Sequence, residues 1–502
     1  MRKARKPKGI HVKDCSWPIQ PRKPKTQIEK IKSPYQEEKP PMCYPGTPLS
    51  PETLESSTAL LAKQINNIGS HTHIKIDASG KLKFKPGEGG FETVQKIEAQ
   101  AIWMMASVLG GTPQNSDGYF CGGGTESNLM GLWVGREWLR KHPDPFNKGI
   151  AILTTPLVHY SIVKAVEMLD IGHHHTRICN RCNHNHHFMP DTNGNGVNYV
   201  GMNGAGEMDM PSLNKRIRQK VKEGFRRFIV VATVGTTTMG SIDPVEKIAD
   251  IMETHRRQLG INFYIHVDAS FAGFTVPFVR PTLNFGFEIP GVRSITVDGD
   301  KMGQLPYPAG IFLCRKDLMS LVGRDVNYVR GHNDSTFSGS RTCLAPVLAY
   351  HQFQNQGQIG QRQYVQSCLD LRDYFIRLLQ EKASHFVKIL PFSKWVNFAP
   401  IEINFPAFSN FHGTNSGIPT FITDEDGDKD DLPTKLRSLN QELKDYHLRS
   451  DFFPEDPQDT HSCPRIVYKI CIMPHHTTKN LGVFVDDLVK CYDQWVLATQ
   501  SK

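Results

Sequence analysis

Two residues near the middle of the chain could carry covalent chemistry together. Asp268 closes the apolar run FYIHV (263–267), and Lys301 stands just beyond the run SITV (294–297), 33 positions later. A lysine can form a Schiff base with a carbonyl, and a carboxylate can keep a pyridinium nitrogen protonated. Together they are the groups that a pyridoxal phosphate (PLP) enzyme requires of its protein. In 502 residues one such pair means little by itself, so its neighbours decide.

Three further features fit the same chemistry in chain order. Cys121–Asn128 (CGGGTESN) leads into an amphipathic stretch. Glycines there let a backbone approach a phosphate, a helix N-terminus offers free N–H groups, and the Thr125 hydroxyl adds a donor. No Lys-Ser/Thr follows, so the run is not a P-loop. His159 follows the strand-like AILTTPLV and could stack on a planar ring. Thr236, Thr237 and Thr238 follow FIVVATV, where hydroxyls at a strand's carboxyl end face the ligand crevice of α/β proteins. Ser270, two residues past Asp268, is expected to point the same way along the strand and so reach the ring's other face.

The elements that must position these groups alternate between strand and helix. AILTTP, FIVVATV, FYIHVD, SITVD and GIFLCR are apolar strands, and HYSIVKAVEML and Pro244–Gln258 are helical. All-apolar strands in this alternation predict an α/β fold with a mostly parallel sheet covered on both faces. Ser50-Pro51 starts a helix, and Phe91–Leu109 forms another with Val94, Ile97, Ala101, Met105 and Val108 on one face. After a long helical stretch, Ala345–Lys382, shorter elements predict a smaller α+β unit. The expected organisation is an arm over 1–46, a helical segment over 47–90, a large ligand-binding domain over 91–345 and a small domain over 346–502.

Composition sets outer limits. No run of 18 apolar residues predicts a membrane span, and MRKARKPKGI lacks the apolar core of a secretory signal. Eleven scattered cysteines favour a reduced, cytoplasmic setting over a disulfide framework. Residues 1–40 carry 12 Lys/Arg and 4 Asp/Glu, so nearly all of the +9 charge belongs to a proline-rich arm. Such an arm is expected to be a solvated extension or a strand-like arm lying on a partner subunit, with a nucleic-acid, acidic-surface or targeting role as the alternative.

Taken together, GGTESN, VHYSIVKA, ATVGTTTMGSID, HVDASFAG, the lysine before MG…PAG, and STFSGSR resemble the group II PLP-dependent amino-acid decarboxylases, in the tyrosine/aspartate, histidine and serine decarboxylase branch. The resemblance covers about 90–348. It implies fold type I with a seven-stranded-type sheet, PLP, and a homodimer with active sites at the subunit interface. It implies that Gly124 and Thr125 bind phosphate, His159 stacks, Thr237 contacts cofactor or substrate carboxylate, Asp268 holds the ring nitrogen and Lys301 forms the Schiff base. Ser340 would reach the neighbouring subunit's phosphate. Tyr328 would be the mobile proton donor, with His332 as the alternative. The implied reaction converts an L-amino acid, aromatic or histidine-like, to its amine and CO2 through an external aldimine and a quinonoid. A carbon–carbon lyase of the sphingosine-phosphate lyase type, or an inactive relic serving as an interaction protein, are the alternatives. One departure stands out: the family usually has His before the lysine, and here Asp300 stands there. A carboxylate beside a phosphate is repelled unless turned away or paired.

Two other clusters are weaker. GHHHTRICNRCNHNHH (172–187) holds Cys179, Cys182 and six histidines within an insertion at about 173–206. Two thiolates and two imidazoles could close a zinc site, but the irregular histidine spacing favours a polar loop, and no metal is expected. The acidic run Asp424–Asp428 has its glycine misplaced for a calcium loop.

Overall fold

A computed structural model of the chain describes residues 39–43, 45–46, 49–62, 66–67, 73–76, 82–85, 92–171, 177–178, 185–186, 196–327, 333–404, 446, 448–454, 456–458 and 464–500. Tyr328, His332, Cys179, Cys182 and the acidic run 424–428 lie outside these residues.

The central sheet has strands β1 (Ser116–Cys121), β2 (Ile150–Thr154), β3 (Val197–Tyr199), β4 (Arg227–Thr233), β5 (Asn262–Asp268), β6 (Val292–Asp298) and β7 (Gly310–Arg315). Their spatial order is β1-β7-β6-β5-β4-β2-β3. Neighbours from β3 to β6 pair in parallel, and β7 runs antiparallel to both β6 and β1. Nearly every residue of β2, β4 and β5 is buried, as strands covered on both faces must be. Register then delivers the chemistry. Asp268 pairs with Thr233 on one side and Thr296 on the other, so the carboxyl ends of β4, β5 and β6 share one rim.

The principal helices are α1 (Pro51–Ala62), α2 (Glu92–Val108), α3 (Gly124–Arg140), α4 (Tyr160–Met168), α5 (Met210–Lys222), α6 (Val245–Leu259), α7 (Leu344–Lys382) and α8 (Thr478–Gln500). Among the described residues none is long and apolar enough to cross a membrane. Ser50 caps α1, accepting from the Thr53 N–H at 3.2 Å. The helical stretch expected over Ala345–Lys382 is present, interrupted at Gly357, which takes φ 60°, ψ −179°, a conformation open to glycine. Ala345, Leu348, Val365 and Leu369 of α7 pack into the large core with the sheet. Phe375 and Leu379 belong to a second core with Ile401, Ile470 and Phe484. That core sits on an antiparallel sheet of β8 (Val387–Ile389), β9 (Phe398–Ile403), β10 (Arg449–Pro454) and β11 (Pro464–Cys471), in the order β8-β9-β11-β10.

The end of the amino-terminal arm is not a free extension. Met42 is buried; its N–H donates to the Tyr446 carbonyl at 3.1 Å, and its carbonyl accepts from Cys471 N–H at 2.7 Å. His476 reaches the Pro41 carbonyl at 3.2 Å, and Lys39 pairs with Asp487 at 3.0 Å. Met42 packs into the second core and anchors residues 39–43 there.

The rim is braced from behind by one buried ion pair. Glu98 of α2 accepts from Phe120 N–H at 3.0 Å and from Arg341, which also donates to the Phe120 carbonyl at 2.8 Å. Both side chains are almost fully buried. Removing one partner strands the other charge, so Glu98→Ala should cost about 3–5 kcal/mol in urea unfolding. A loss below about 0.5 kcal/mol, the range of bland surface changes, would contradict this placement.

Candidate active site

The carboxyl-end rim encloses a cavity of about 260 Å³. Its lining brings together Gly124, Thr125, His159, Thr237, Asp268, Ser270 and Lys301, all singled out by the sequence. Asp298, Asp300, Tyr160, Phe271 and Tyr307 complete much of the remaining wall. Ser340 is exposed and does not line its own chain's cavity.

Asp268 ends β5 and is 4% exposed. Its Oδ2 accepts from Asn128 Nδ2 at 2.8 Å, and its Oδ1 accepts from Ser270 Oγ at 2.6 Å and Ser270 N–H at 3.1 Å. Burial pushes this carboxyl's pKa up, but the Ser270 hydroxyl, the nearby His159 imidazole, the Lys301 ammonium and the Asn128 amide outweigh it, leaving an anion below the ordinary carboxylate range. Ser270 lines the cavity as expected and also braces the carboxylate.

Asn128, which sequence reasoning passed over within GGTESN, is the hub. A carboxylate can only accept, so the Asn128 NH2 must face Asp268; its other hydrogen goes to Ser161 Oγ at 2.9 Å. Its oxygen then accepts from His266 Nε2 at 2.9 Å, and His266 Nδ1 accepts from Ser294 Oγ at 2.7 Å. Burial lowers the His266 pKa to about 4, so the ring is neutral. Its fit requires Gly131: a Cβ there would stand 2.3 Å from the imidazole.

His159 is the N-cap of α4, its Nδ1 accepting from Ser161 N–H at 3.3 Å and lying 2.8 Å from Ser161 Oγ. With Nδ1 as acceptor, the proton of the neutral ring sits on Nε2. Burial lowers its pKa, more than Asp268 raises it. Of the three threonines at 236–238, Thr236 is spent on Ser241 Oγ at 2.6 Å and Thr238 is buried, leaving Thr237 to face the cavity.

Lys301 lies in the turn three residues past β6, and its Nζ pairs with Asp298 Oδ2 at 2.8 Å. Burial lowers the lysine's pKa, but Asp298 more than restores it, so the ammonium persists until a proton is removed. Asp298 is the adjacent carboxylate that could take that proton. Its own pKa rises to about 6 through burial, with Lys301 opposing and Asp300 reinforcing.

Comparison with known proteins agrees with this geometry. Residues 93–398, more than half the chain, match the family model described as the pyridoxal-dependent decarboxylase conserved domain. The chain belongs to the pyridoxal-dependent decarboxylase family. It is 29% identical over 334 residues to a tryptophan decarboxylase of Clostridium sporogenes, covering 64% of this chain and 71% of that one. It is 30% identical over 281 residues to a probable L-tyrosine/L-aspartate decarboxylase of Methanocella arvoryzae, covering 56% and 64%. Among solved structures, L-methionine decarboxylase from Streptomyces sp. 590 superposes with TM-score 0.67 at 18% identity, covering 90% and 91%. A sphingosine-1-phosphate lyase of Burkholderia pseudomallei gives 0.67 at 13%, covering 98% and 95%. Both share the fold, which is fold type I as the sequence suggested. PLP is the cofactor of this family, and the residues present fit it. A buried anion, a lysine amine, an imidazole and a helix N-terminus at Gly124 all open on one cavity.

The neutral His159 makes a direct prediction. In NMR of the cofactor-free protein, the His159 ring signals, assigned by loss in His159→Asn, should titrate with a midpoint below the ordinary 6.5. A midpoint at or above that value contradicts the tautomer and burial described.

Proposed function

We propose that this protein is a PLP-dependent L-amino-acid decarboxylase that releases the amine and CO2, with aromatic or imidazole side chains favoured. The observation that carries it is the placement of Lys301 and Asp268 in one cavity, with Asp268 held as an anion by Asn128 and Ser270. The choice of side chain is supported by relatives named for tryptophan and histidine decarboxylation, and by Tyr160, Phe271 and Tyr307 in the wall.

When bound, PLP supplies an electron sink for the pair left behind as CO2 departs. The chain's residues do the rest. Lys301 would hold the cofactor through its amine, with Asp298 at 2.8 Å placed to take the proton the ammonium must lose. Asp268 keeps a proton on the ring nitrogen. His159 packs on the ring and offers its Nε2–H to the substrate side, and Thr237 offers a hydroxyl to a carboxylate. Gly124 and Thr125 present backbone N–H groups to the phosphate. Tyr328 is our proposed donor of the proton that replaces CO2, with His332 second. On the same reading the enzyme is a cytoplasmic homodimer, and Ser340 serves the partner's site.

A second reading is supported by the shared fold of the sphingosine-1-phosphate lyase. Retro-aldol product assays separate the two, because a decarboxylase releases CO2 and no aldehyde.

Two experiments test the proposal. With PLP added, the protein should show a visible absorbance band that borohydride removes, and Lys301→Ala should not. A CO2-release screen across amino acids should then find a substrate. A colourless protein that PLP cannot reconstitute contradicts the proposal. Asp268→Ala should keep a reducible band while CO2 release falls on the order of a thousandfold, the scale of losing one group aimed at developing charge. Undiminished turnover would remove Asp268 from its assigned part.

A further inference from the structure

The end of the cavity that should receive a phosphate is built of acids. Gly124 opens α3 and presents the helix N-terminus. A Cβ on Gly124 would lie 2.7 and 3.0 Å from the two carboxylate oxygens of Asp298, so this acid stands directly against that N-terminus. The turn's Gly122 N–H is already taken by Glu126 Oε2 at 2.8 Å. Asp300 lines the same cavity, and one oxygen each of Asp298 and Asp300 is buried without a hydrogen-bond partner. Among the described lining residues Lys301 is the one ammonium, and it is paired with Asp298. Lys301 cannot serve that carboxylate and the cofactor's carbonyl carbon at once. Binding the cofactor therefore frees a buried carboxylate and brings a dianion beside it.

We propose that the cofactor's phosphate enters this cavity together with one proton, held among Asp298, Asp300 and the phosphate itself. The inference rests on reading the cavity as a PLP site. The groups facing Asp298 are Lys301, Asp268 and Asp300 on its own rim, His159 from α4 and Cys121 from β1, with Glu126 of α3 beside Cys121. Of these, Lys301 alone is a permanent cation near neutrality, and beyond it the α3 N-terminus at Gly124 offers only partial positive charge to the added dianion.

The sign follows from linkage. A second anion beside a carboxylate favours its protonated form, so proton affinity is higher with phosphate present than without. Burial, helped by Asp300 and opposed by Lys301, already lets Asp298 keep its proton up to about pH 6 in the empty cavity. Above that, the phosphate's contribution to affinity falls as pH rises, roughly tenfold per unit for one proton. The fall ends once the bound form also loses the proton.

The test compares PLP with pyridoxal, which lacks the phosphate, by absorbance titration of the full chain between about pH 6 and 8.5. The ratio of the pyridoxal Kd to the PLP Kd cancels the ionisations of Lys301 and the ring, leaving the phosphate term. This ratio should drop by about tenfold per pH unit, as one linked proton requires. In Asp300→Asn it should drop less than half as steeply on a logarithmic scale, and PLP should bind more tightly at pH 8. A wild-type urea-unfolding midpoint shows that the variant is folded. A ratio flat with pH, or an equal slope in Asp300→Asn, overturns the inference. So does a ratio raised by magnesium and lowered by chelator at fixed pH, which would assign the charge compensation to a divalent cation. If neither compound gives a borohydride-sensitive band, the PLP reading itself fails. Bands with both and a flat ratio defeat the proton coupling alone.

Discussion

A carboxylate with 4% exposure should by burial alone hold its proton, and Asp268 does not. The hydrogen bonds from Asn128 and Ser270 and the nearby Lys301 charge keep it ionised. Much of the cavity's architecture serves that constraint. Asn128 must turn its NH2 toward Asp268, which forces its oxygen toward His266 and leaves its second hydrogen for Ser161. Ser161 in turn sets the tautomer of His159. One buried anion thus orders groups from α3, α4, β5 and β6, and Gly131 is glycine because the imidazole in this chain leaves no room for a Cβ.

The sheet was readable in the sequence because strands buried on both faces must be apolar throughout, and the residues that follow them must lie at one rim. That logic located Lys301, Asp268, His159, Thr237 and the glycine turn. It could not locate Asn128, Ser161, His266 or Asp298 as partners. Those roles depend on contacts between residues such as Asn128 and His266, 138 positions apart, and no local period encodes them. Ser270 was placed at the rim by alternation, but its hydrogen bond to the Asp268 carboxylate was not legible from the strand pattern. Residues 39–43 show a further limit, since arm composition was dominated by charge and proline while the buried Met42 and Cys43 and their backbone hydrogen bonds dock the segment.

Asp300 gains meaning from its neighbours. Seen as a residue type before a lysine it is only a departure from a family pattern. In the folded chain it joins Asp298 and Asp268 around one ammonium, with buried oxygens of two of them unpartnered. On the proposed reading, the cavity would bind the cofactor's ring through an anion and meet its phosphate with anions, so the two ends of one ligand would make opposite electrostatic demands on a space of about 260 Å³.

The central claim is that Lys301 is the residue that carries the cofactor. Borohydride reduction of the PLP-loaded protein, followed by proteolysis and mass spectrometry, tests it most directly. The account predicts a phosphopyridoxyl group on the peptide containing Lys301 at near-stoichiometric yield. A label on another lysine, or none after loading with PLP, would contradict it.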